Sequence, residues 1–199
     1  MNLEKTIRNL ELFGAEVKHF ATAAEAADYL VSEITGTTVG IGGSQTVDRM
    51  GVYERLKETN EVTGHWKDGF DEDVYRRARE AMVYLCSPNA VAETGEMIFI
   101  DGRANRVSAM TTMIEGKRLY LPCSVKKICP DIASAVERAR SISPANISRF
   151  TDALPCQKDG NCHDCRDPQR MCRAFLMLCG KITWMEKAEV IFIDEDIGL

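Results

Sequence analysis

The sequence contains no hydrophobic run long enough to cross a bilayer and no excess of basic residues. Its 199 residues carry a formal net charge of -5, with 25 Lys and Arg against 30 Asp and Glu. A membrane-spanning helix needs about 20 consecutive apolar residues, and a nucleic-acid-binding surface needs basic side chains to meet the phosphates. We therefore expect neither a membrane nor a nucleic acid as a partner.

We also expect no secretory signal, and the sequence shows neither internal repeats nor low-complexity segments. Its first residues, MNLEKTIRNLELFG, form a polar amphipathic pattern, which predicts a helix rather than a signal peptide. With 45% hydrophobic and 28% charged residues, the composition is that of a globular chain that buries a core. We expect a cytoplasmic protein with one domain over residues 1–199, including a cysteine-rich loop at about 154–173.

The apolar residues recur in patterns that predict alternating strands and helices. The predicted strands are EVKHF, TTVGI, AMVYLC, RLYLPC and AEVIFIDED. The predicted helices run from Asn2 to Phe13, from Thr22, across TVDRMGVYERLKE, from Asp71 and around residues 132–139. EMIFID and RVSAM are predicted to pair as a hairpin across DGRAN. This alternation indicates a layered α/β fold with a mostly parallel sheet.

A glycine-rich stretch, GIGGSQT, lies between a predicted strand and a predicted helix. Such a turn exposes backbone N–H groups at the carboxyl end of a strand, where anions bind. Gly42, Gly43, Ser44 and Thr46 are therefore candidate ligand-binding residues. The alternative is a tight turn in which Ser44 or Thr46 is the N-cap of the following helix. The stretch has neither the lysine of a phosphate-binding P-loop nor the G-x-G-x-x-G pattern, so it indicates no particular nucleotide.

Charged residues follow two other predicted strands. Glu93 lies in the stretch NAVAETGEM, where a carboxylate after a strand is suited to acid–base or nucleophilic chemistry; the alternative is a solvated glutamate in a turn. Arg106, next to Asn105, has the donor geometry to bind a carboxylate or a phosphate. Lys126 and Lys127 follow a further strand, within reach of a ligand at the sheet edge, although solvated lysines are the more common case.

Eight cysteines are many for a chain of this length in a reducing compartment, where thiols bind metals or react more often than they form disulfides. Four of them follow the spacing C-x5-C-x2-C-x6-C, namely Cys156, Cys162, Cys165 and Cys172. Four thiolates are suited to zinc or an iron–sulfur cluster, and the spacing does not separate these two. The alternative is a set of free thiols in a loop.

The other cysteines are expected to be held by the fold rather than by a metal. Cys86 and Cys123 each end a predicted strand, and Cys129 is predicted to begin a helix. Cys179 lies in the apolar stretch AFLMLCG and is predicted to be in the core. His163 is a substitute ligand for the four-cysteine set, although the thiols alone complete it.

Several of these segments resemble the lactate-utilisation (LUD) domain family: GGSQT after a strand, SPNAVAETGEMIFIDGRANRVSAM, the lysine pair, and the closing VIFIDEDIGL. The cysteine stretch resembles that of a subgroup of short bacterial members. The resemblance spans nearly the whole chain. It implies a three-layer α/β sandwich similar to the ribose-phosphate isomerase and CoA-transferase group. It also implies a link to the oxidation of L-lactate to pyruvate, within multi-protein systems that contain iron–sulfur subunits.

Three hypotheses about function follow from the residues and the resemblance. In the first, the protein serves lactate or 2-hydroxy-acid utilisation and binds a small anionic ligand in a cleft, whose walls are predicted to be Gly42, Gly43, Ser44, Thr46, Glu93, Asn105 and Arg106. In the second, it is a CoA-transferase-like or isomerase-like enzyme with Glu93 as nucleophile or base. In the third, it is a non-enzymatic metalloprotein of an electron-transfer complex. Iron–sulfur or other lactate-utilisation subunits, or a second copy of the chain, are the expected partners. The expected ligand-binding residues are Gly42, Gly43, Ser44, Thr46, Asn89, Thr94, Gly95, Asn105, Arg106 and Lys127.

Overall fold

A computed structural model describes all residues from 1 to 199. The helices are α1 (Leu3–Leu12), α2 (Ala23–Glu33), α3 (Gln45–Arg49), α4 (Val52–Lys57), α5 (His65–Asp68), α6 (Glu72–Glu80), α7 (Asn105–Thr111), α8 (Ile132–Ser141) and α9 (Ser143–Ile147). The strands are β1 (Glu16–Phe20), β2 (Thr38–Ile41), β3 (Glu61–Gly64), β4 (Val83–Leu85), β5 (Ala90–Ala92), β6 (Met97–Asp101), β7 (Lys117–Ser124), β8 (Ile128–Cys129), β9 (Ala174–Leu178) and β10 (Met185–Ile193). None of these helices combines the length and the apolar character of a membrane span.

The strands form two sheets. The larger sheet has six strands in the order β1-β10-β7-β4-β2-β3, and every neighbouring pair is parallel. The smaller sheet has the order β8-β5-β6-β9 and is mixed, with antiparallel pairs on both sides of β6. The prediction of an α/β fold with a mostly parallel sheet is confirmed. The second sheet was not predicted.

Strand β4 shows how the large sheet divides the apolar core. Val83 and Leu85 belong to a cluster that includes α2 and α4, whereas Tyr84 belongs to a cluster that includes α1, α7 and the small sheet. Alternate residues of a strand face opposite sides of the sheet, so one short strand contributes to both clusters. Helix α8 covers the outer face of the small sheet, where Ala135 packs near Ala90.

Local signals set most helix ends. Asn2 precedes α1 and accepts a hydrogen bond from the Lys5 N–H, and Thr22 forms the expected capping box with Glu25. The stretch TVDRMGVYERLKE, predicted as one helix, is divided into α3 and α4. Gly51 separates them because it has a left-handed φ of 67°, which a continuous α-helix does not allow.

The predicted hairpin of EMIFID with RVSAM is wrong. Residues of RVSAM belong to helix α7, and β6 instead pairs with β5 and β9. Asp101 at the end of β6 explains the difference. Its carboxylate accepts hydrogen bonds from the N–H groups of Arg106, at 2.8 Å, and Val107, at 3.2 Å. The chain therefore turns into a helix immediately after the strand, because a side chain satisfies the first N–H groups.

Gly40 generates a prediction about packing, because it lies where β2 meets α6. A Cβ atom at Gly40 would overlap the carbonyl group of Ala78 in α6. We expect Gly40→Ala to lower the free energy of unfolding by about 1–3 kcal/mol, since main-chain atoms of both elements would have to shift. Urea denaturation measures this change.

Gly36→Ala is the matched control. Gly36 has open space around its Cβ position but a left-handed φ of 64°, so the substitution should cost only about 1 kcal/mol of conformational strain. Equal losses of stability in the two variants would contradict the steric explanation for Gly40.

Candidate functional site

A cavity of about 380 Å³ opens at the carboxyl edge of the six-stranded sheet. Its lining includes residues that come after the ends of four parallel strands: Ser44 after β2, His65 after β3, Ser87 after β4 and Lys127 after β7. Ligands of open α/β sheets bind at this edge. Residues of α9 and of the segment after it complete the wall, together with Met171 and Cys172.

Basic side chains outnumber acidic ones in the lining. The basic residues are Arg103, Arg106, Lys127 and Arg149, and the acidic residue is Asp101. The Asp101 carboxylate is already engaged as the cap of α7. A concave site with an excess of one charge attracts ligands of the opposite charge, so the cavity favours an anion.

Lys127 is the most deeply buried of these cations, with 4% of its surface exposed. Its Nζ donates hydrogen bonds to the Thr46 hydroxyl at 3.1 Å, the Ser87 hydroxyl at 3.0 Å and the Pro88 carbonyl at 3.3 Å. Burial lowers the pKa of Lys127 to about 8. All three partners are neutral, so the ammonium group is satisfied in hydrogen bonds but has no opposite charge beside it.

Arg106 extends from the start of α7 to the same edge and is largely buried. Its guanidinium donates hydrogen bonds to the carbonyls of Ser87 and Ile100, and its Nε lies 3.9 Å from the Asp101 carboxylate. Its aliphatic part packs against Gly42, where an added Cβ would lie 2.9 Å from Cγ of the arginine. Arg106 therefore faces the glycine loop in a fixed orientation.

His65, which the sequence analysis did not identify, lies in the lining with only 3% of its surface exposed. Its Nδ1 lies 2.9 Å from the side-chain nitrogen of Asn105, and its Nε2 is buried without a hydrogen-bond partner. Burial lowers the pKa of His65 to about 4, so the ring is neutral at pH 7. Because the Asn105 amide donates to Nδ1, Nε2 carries the proton and is a buried donor without a partner.

The glycine loop combines the two alternatives left open by the sequence. Ser44 is the N-cap of α3, as the tight-turn alternative predicts, and accepts from the Val47 N–H at 3.4 Å. The Gly42 N–H donates to Leu85 and the Ser44 N–H to Gly42. The N–H groups of Gly42 and Ser44 are thus used within the protein, whereas the Gly43 N–H makes no hydrogen bond. Anion binding by the backbone of the loop stays a prediction.

The structure brings most of the predicted ligand-binding residues together. Those that line the large cavity are Gly43, Ser44, Thr46, Asn89, Asn105, Arg106 and Lys127. Asn89 supports the wall, since its side-chain oxygen accepts from the Ile100 N–H at 2.9 Å. Gly42 lines a smaller neighbouring cavity. Thr94 and Gly95 line neither of these cavities.

Glu93 lies outside the large cavity, against helix α1. Its carboxylate accepts from the Asn2 N–H at 2.8 Å and lies 3.2 Å from the Lys5 ammonium, and its carbonyl accepts from the Asn9 side chain at 2.7 Å. Donation by the Asn2 N–H, and then by Lys5, lowers the pKa of the Glu93 carboxyl. These contacts attach α1 to the small sheet. A catalytic role for Glu93 stays a prediction. The large cavity does not support this role, because Glu93 is not part of its lining.

The four spaced cysteines all line a second, smaller cavity of about 20 Å³. We call residues 154–173 the cysteine loop. Cys156 is buried, Cys165 and Cys172 are half-buried, and Cys162 is exposed, all as free thiols. No group of three or more His, Cys, Asp and Glu side chains is arranged to hold a metal ion. The donor set suits a soft metal, but the sulfurs would have to move closer together to bind one.

Arg170 holds the cysteine loop in its present arrangement. Its Nε donates to the Cys172 carbonyl at 2.8 Å, one terminal nitrogen donates to the Cys165 carbonyl at 2.8 Å, and the other lies 3.2 Å from the Asp164 carboxylate. The loop also touches the main site, because Met171 and Cys172 line both cavities.

The remaining cysteines differ in part from the predictions. Cys86 and Cys123 are buried at or near strand ends, as expected. The prediction for Cys129 is wrong, because it lies in strand β8 and does not begin a helix. The prediction for Cys179 is also wrong, because it is exposed beyond the end of β9. His163 lines the small cavity, and its Nε2 lies 3.0 Å from the Asp159 carboxylate.

Comparisons with known proteins agree with this fold. A family model of the LUD domain matches residues 3–193. Among solved structures, the chain is similar to a DUF162 family protein from Deinococcus radiodurans, with a TM-score of 0.56 and 14% sequence identity over 96% of this chain and 95% of that chain. At this identity the similarity shows the fold alone. No curated protein matches the chain.

The buried His65 predicts a loss of stability at acidic pH. Its pKa is about 4 in the folded protein against 6.5 in the unfolded chain, so the unfolded chain binds the proton first as the pH falls. The stabilising effect is complete above about pH 6.5 and is lost towards pH 4, by up to about 3 kcal/mol. We expect His65→Gln to flatten the pH dependence of unfolding across this range, measured by urea denaturation at several pH values.

His19→Gln is the control, because His19 is exposed and far from the cavity, beside Asp194. This variant should keep the pH dependence of the unaltered protein. If His65→Gln kept it as well, a buried neutral His65 would not be the cause.

Proposed function

The chain belongs to the LUD domain family, and on that premise we propose that its large cavity binds a small anionic ligand of lactate or other 2-hydroxy-acid utilisation. The observation that carries the proposal is the burial of Lys127 with three neutral partners. A buried cation without an opposite charge lowers stability. A carboxylate or phosphate that enters the cavity would offset that cost, so binding an anion would raise the stability of the protein.

The surrounding donors suit a ligand with more than one oxygen atom. Lys127 supplies the deepest positive charge, and Arg106 supplies a planar guanidinium held by the Ser87 and Ile100 carbonyls. The Nε2–H group of His65 has no partner within the protein, and a small movement of the ring would let it donate to a further oxygen, such as the 2-hydroxyl of a hydroxy acid. Donors that are already fixed in place bind with a smaller loss of conformational freedom.

Oxidation of a 2-hydroxy acid removes two electrons and two protons, and therefore requires an acceptor. We propose that partner subunits, of the iron–sulfur or another lactate-utilisation type, supply it, and that this chain contributes the anion site. The transferase or isomerase alternative depends on Glu93, whose carboxylate contacts α1 instead of the cavity. That alternative is not part of the proposal.

A second candidate function is a thiolate metal centre in the cysteine loop. The supporting observation is that Cys156, Cys162, Cys165 and Cys172 all line the same small cavity. Thiolates in such a set bind zinc or iron–sulfur clusters. When bound, such a group would supply either a cross-link for the loop or a redox centre next to the anion site, since Cys172 lies between the two cavities.

The first proposal predicts that Lys127→Met weakens anion binding. Isothermal titration with inorganic pyrophosphate and with L-lactate at pH 7 should show at least about a tenfold weaker affinity, because a charge-assisted contact is lost. In the unaltered protein the affinity should also weaken from pH 8 towards pH 10. The amine loses its proton above its pKa of about 8, and an anion prefers the charged form.

Lys126→Met is the matched control, since Lys126 is the neighbouring residue but is exposed and paired with Asp196 at 2.7 Å. Its affinity for both probes should be unchanged. Binding of pyrophosphate without L-lactate would keep the anion site and reject the 2-hydroxy-acid assignment. Binding of neither probe by the unaltered protein would reject the proposal as a whole.

The second proposal predicts about one zinc ion or one iron–sulfur cluster per chain in anaerobically purified protein. Elemental analysis and native mass spectrometry measure the content, and a visible absorption band separates iron–sulfur from zinc. Cys165→Ser should lose the metal and lower the melting temperature, because the cross-link of the loop is lost.

Cys179→Ser serves as the control, because Cys179 is exposed and does not line the small cavity. It should keep both the metal and the melting temperature. Anaerobic protein that contains no metal and has all eight thiols reactive on unfolding would contradict a metal centre.

A further inference from the structure

We propose that the anion bound in the large cavity is part of a larger ligand that carries a planar aromatic ring, and that the ligand class is the nucleoside phosphates. This inference rests on the proposed anion site, and it assigns that site a nucleoside phosphate instead of the 2-hydroxy acid itself. Three aromatic side chains in the cavity lining carry the argument: Trp66, Phe70 and Phe150, which we call the aromatic shelf.

The aromatic shelf is exposed although its members are large and apolar. The exposed fractions are 37% for Trp66, 51% for Phe70 and 50% for Phe150. Trp66 stacks on Phe150 with ring centroids 5.3 Å apart, and its ring meets Phe70 edge-on at 6.1 Å. Grouped apolar side chains that stay exposed mark binding surfaces. Since all three line a concave cavity, the surface is shaped for a small molecule rather than for a flat protein interface.

Arg149 joins the shelf to the charged part of the cavity. Its guanidinium lies 4.7 Å from the centre of the Trp66 ring and 5.3 Å from that of Phe150. It is held there by two hydrogen bonds to Asn146, at 3.0 and 3.2 Å. A guanidinium fixed on aromatic rings stacks on a planar ring and also binds phosphate oxygens. A ligand with both groups would use both properties.

The backbone is shaped to bring the shelf to the anion site. A Cβ atom at Gly43 would lie 2.5 Å from the indole nitrogen of Trp66, so only glycine lets the indole lie against the loop. The same loop packs against Arg106 at Gly42. The ring-binding and charge-binding sides of the cavity therefore meet across two consecutive glycines.

The size of the cavity agrees with a nucleotide better than with a small acid alone. Its volume is about 380 Å³, and pockets for ligands of drug size are about 300–1,000 Å³. A lactate-sized acid would contact Lys127 and Arg106 but would leave the aromatic shelf uncovered. A nucleoside diphosphate extends from phosphate to base and would cover both.

The fluorescence of Trp66 reports ligand binding in the test. The chain has two tryptophans, so Trp184→Phe leaves Trp66 as the only one, and a base that stacks on the shelf will quench its fluorescence. We expect ADP and UDP to bind at least about fivefold more tightly than inorganic pyrophosphate, which is the lower end of what stacking of one base contributes. Isothermal titration of the unaltered protein gives the same affinities without relying on the Trp184→Phe variant.

Phe150→Ala should weaken the binding of ADP and UDP more than that of pyrophosphate, and so reduce this preference for nucleotides. Phe175→Ala is the control, because Phe175 is exposed to a similar extent, at 44%, but lies on β9 outside the cavity lining. Pyrophosphate binding with no preference for ADP or UDP would overturn this inference and leave the anion site standing. An undiminished preference in Phe150→Ala would also overturn it. If neither pyrophosphate nor the nucleotides bind, this inference fails, and the proposed function fails with it only if L-lactate does not bind either.

Discussion

The hydrogen bonds of the Lys127 ammonium group are the interaction on which the geometry of the site depends. Strands β7, β4 and β2 are consecutive neighbours in the large sheet. Lys127 follows β7, Ser87 and Pro88 follow β4, and Thr46 follows β2, so one ammonium group links the segments after three strands. Burial of a charge is unfavourable because the charge loses its hydration. The rigid sheet holds the ammonium group in this buried position. The positive charge is therefore fixed in place before any ligand arrives.

The glycine loop needs residues without side chains because other parts of the protein pack closely against it. A Cβ atom would overlap the backbone of α6 at Gly40, the side chains of Tyr84 and Arg106 at Gly42, and the side chain of Trp66 at Gly43. Each contact comes from a different part of the chain, so the glycines are required by tertiary packing and not only by the local turn. The turn is therefore tight because groups from several parts of the chain pack against it, and its role as a ligand loop stays a prediction.

Features that depend on nearby residues could be predicted from the sequence, and features that depend on strand pairing could not. The capping box at Thr22 and strand β1 are local patterns, and both agree with the structure. Helix α7 was missed because its cap, Asp101, lies in the preceding strand. Glu93 was expected in the cleft because it follows a strand. The predicted strand before it, AMVYLC, is β4 of the large sheet, but the unpredicted strand β5 lies between β4 and Glu93 and belongs to the small sheet. Periodicity alone does not assign strands to sheets.

The cysteine loop is the part of the wall that apolar burial determines least, and it is also the part that joins the two cavities. Its small apolar cluster includes Ile147, Leu154 and Cys156, and polar links from Arg170 supply most of the remaining order. Such an arrangement is easier to rearrange than a packed core, because few apolar contacts must break. Any change in the bonding of the Cys172 sulfur moves a residue that also lines the anion site. The four thiols of the loop and the large cavity consequently share part of one wall, formed by Met171 and Cys172.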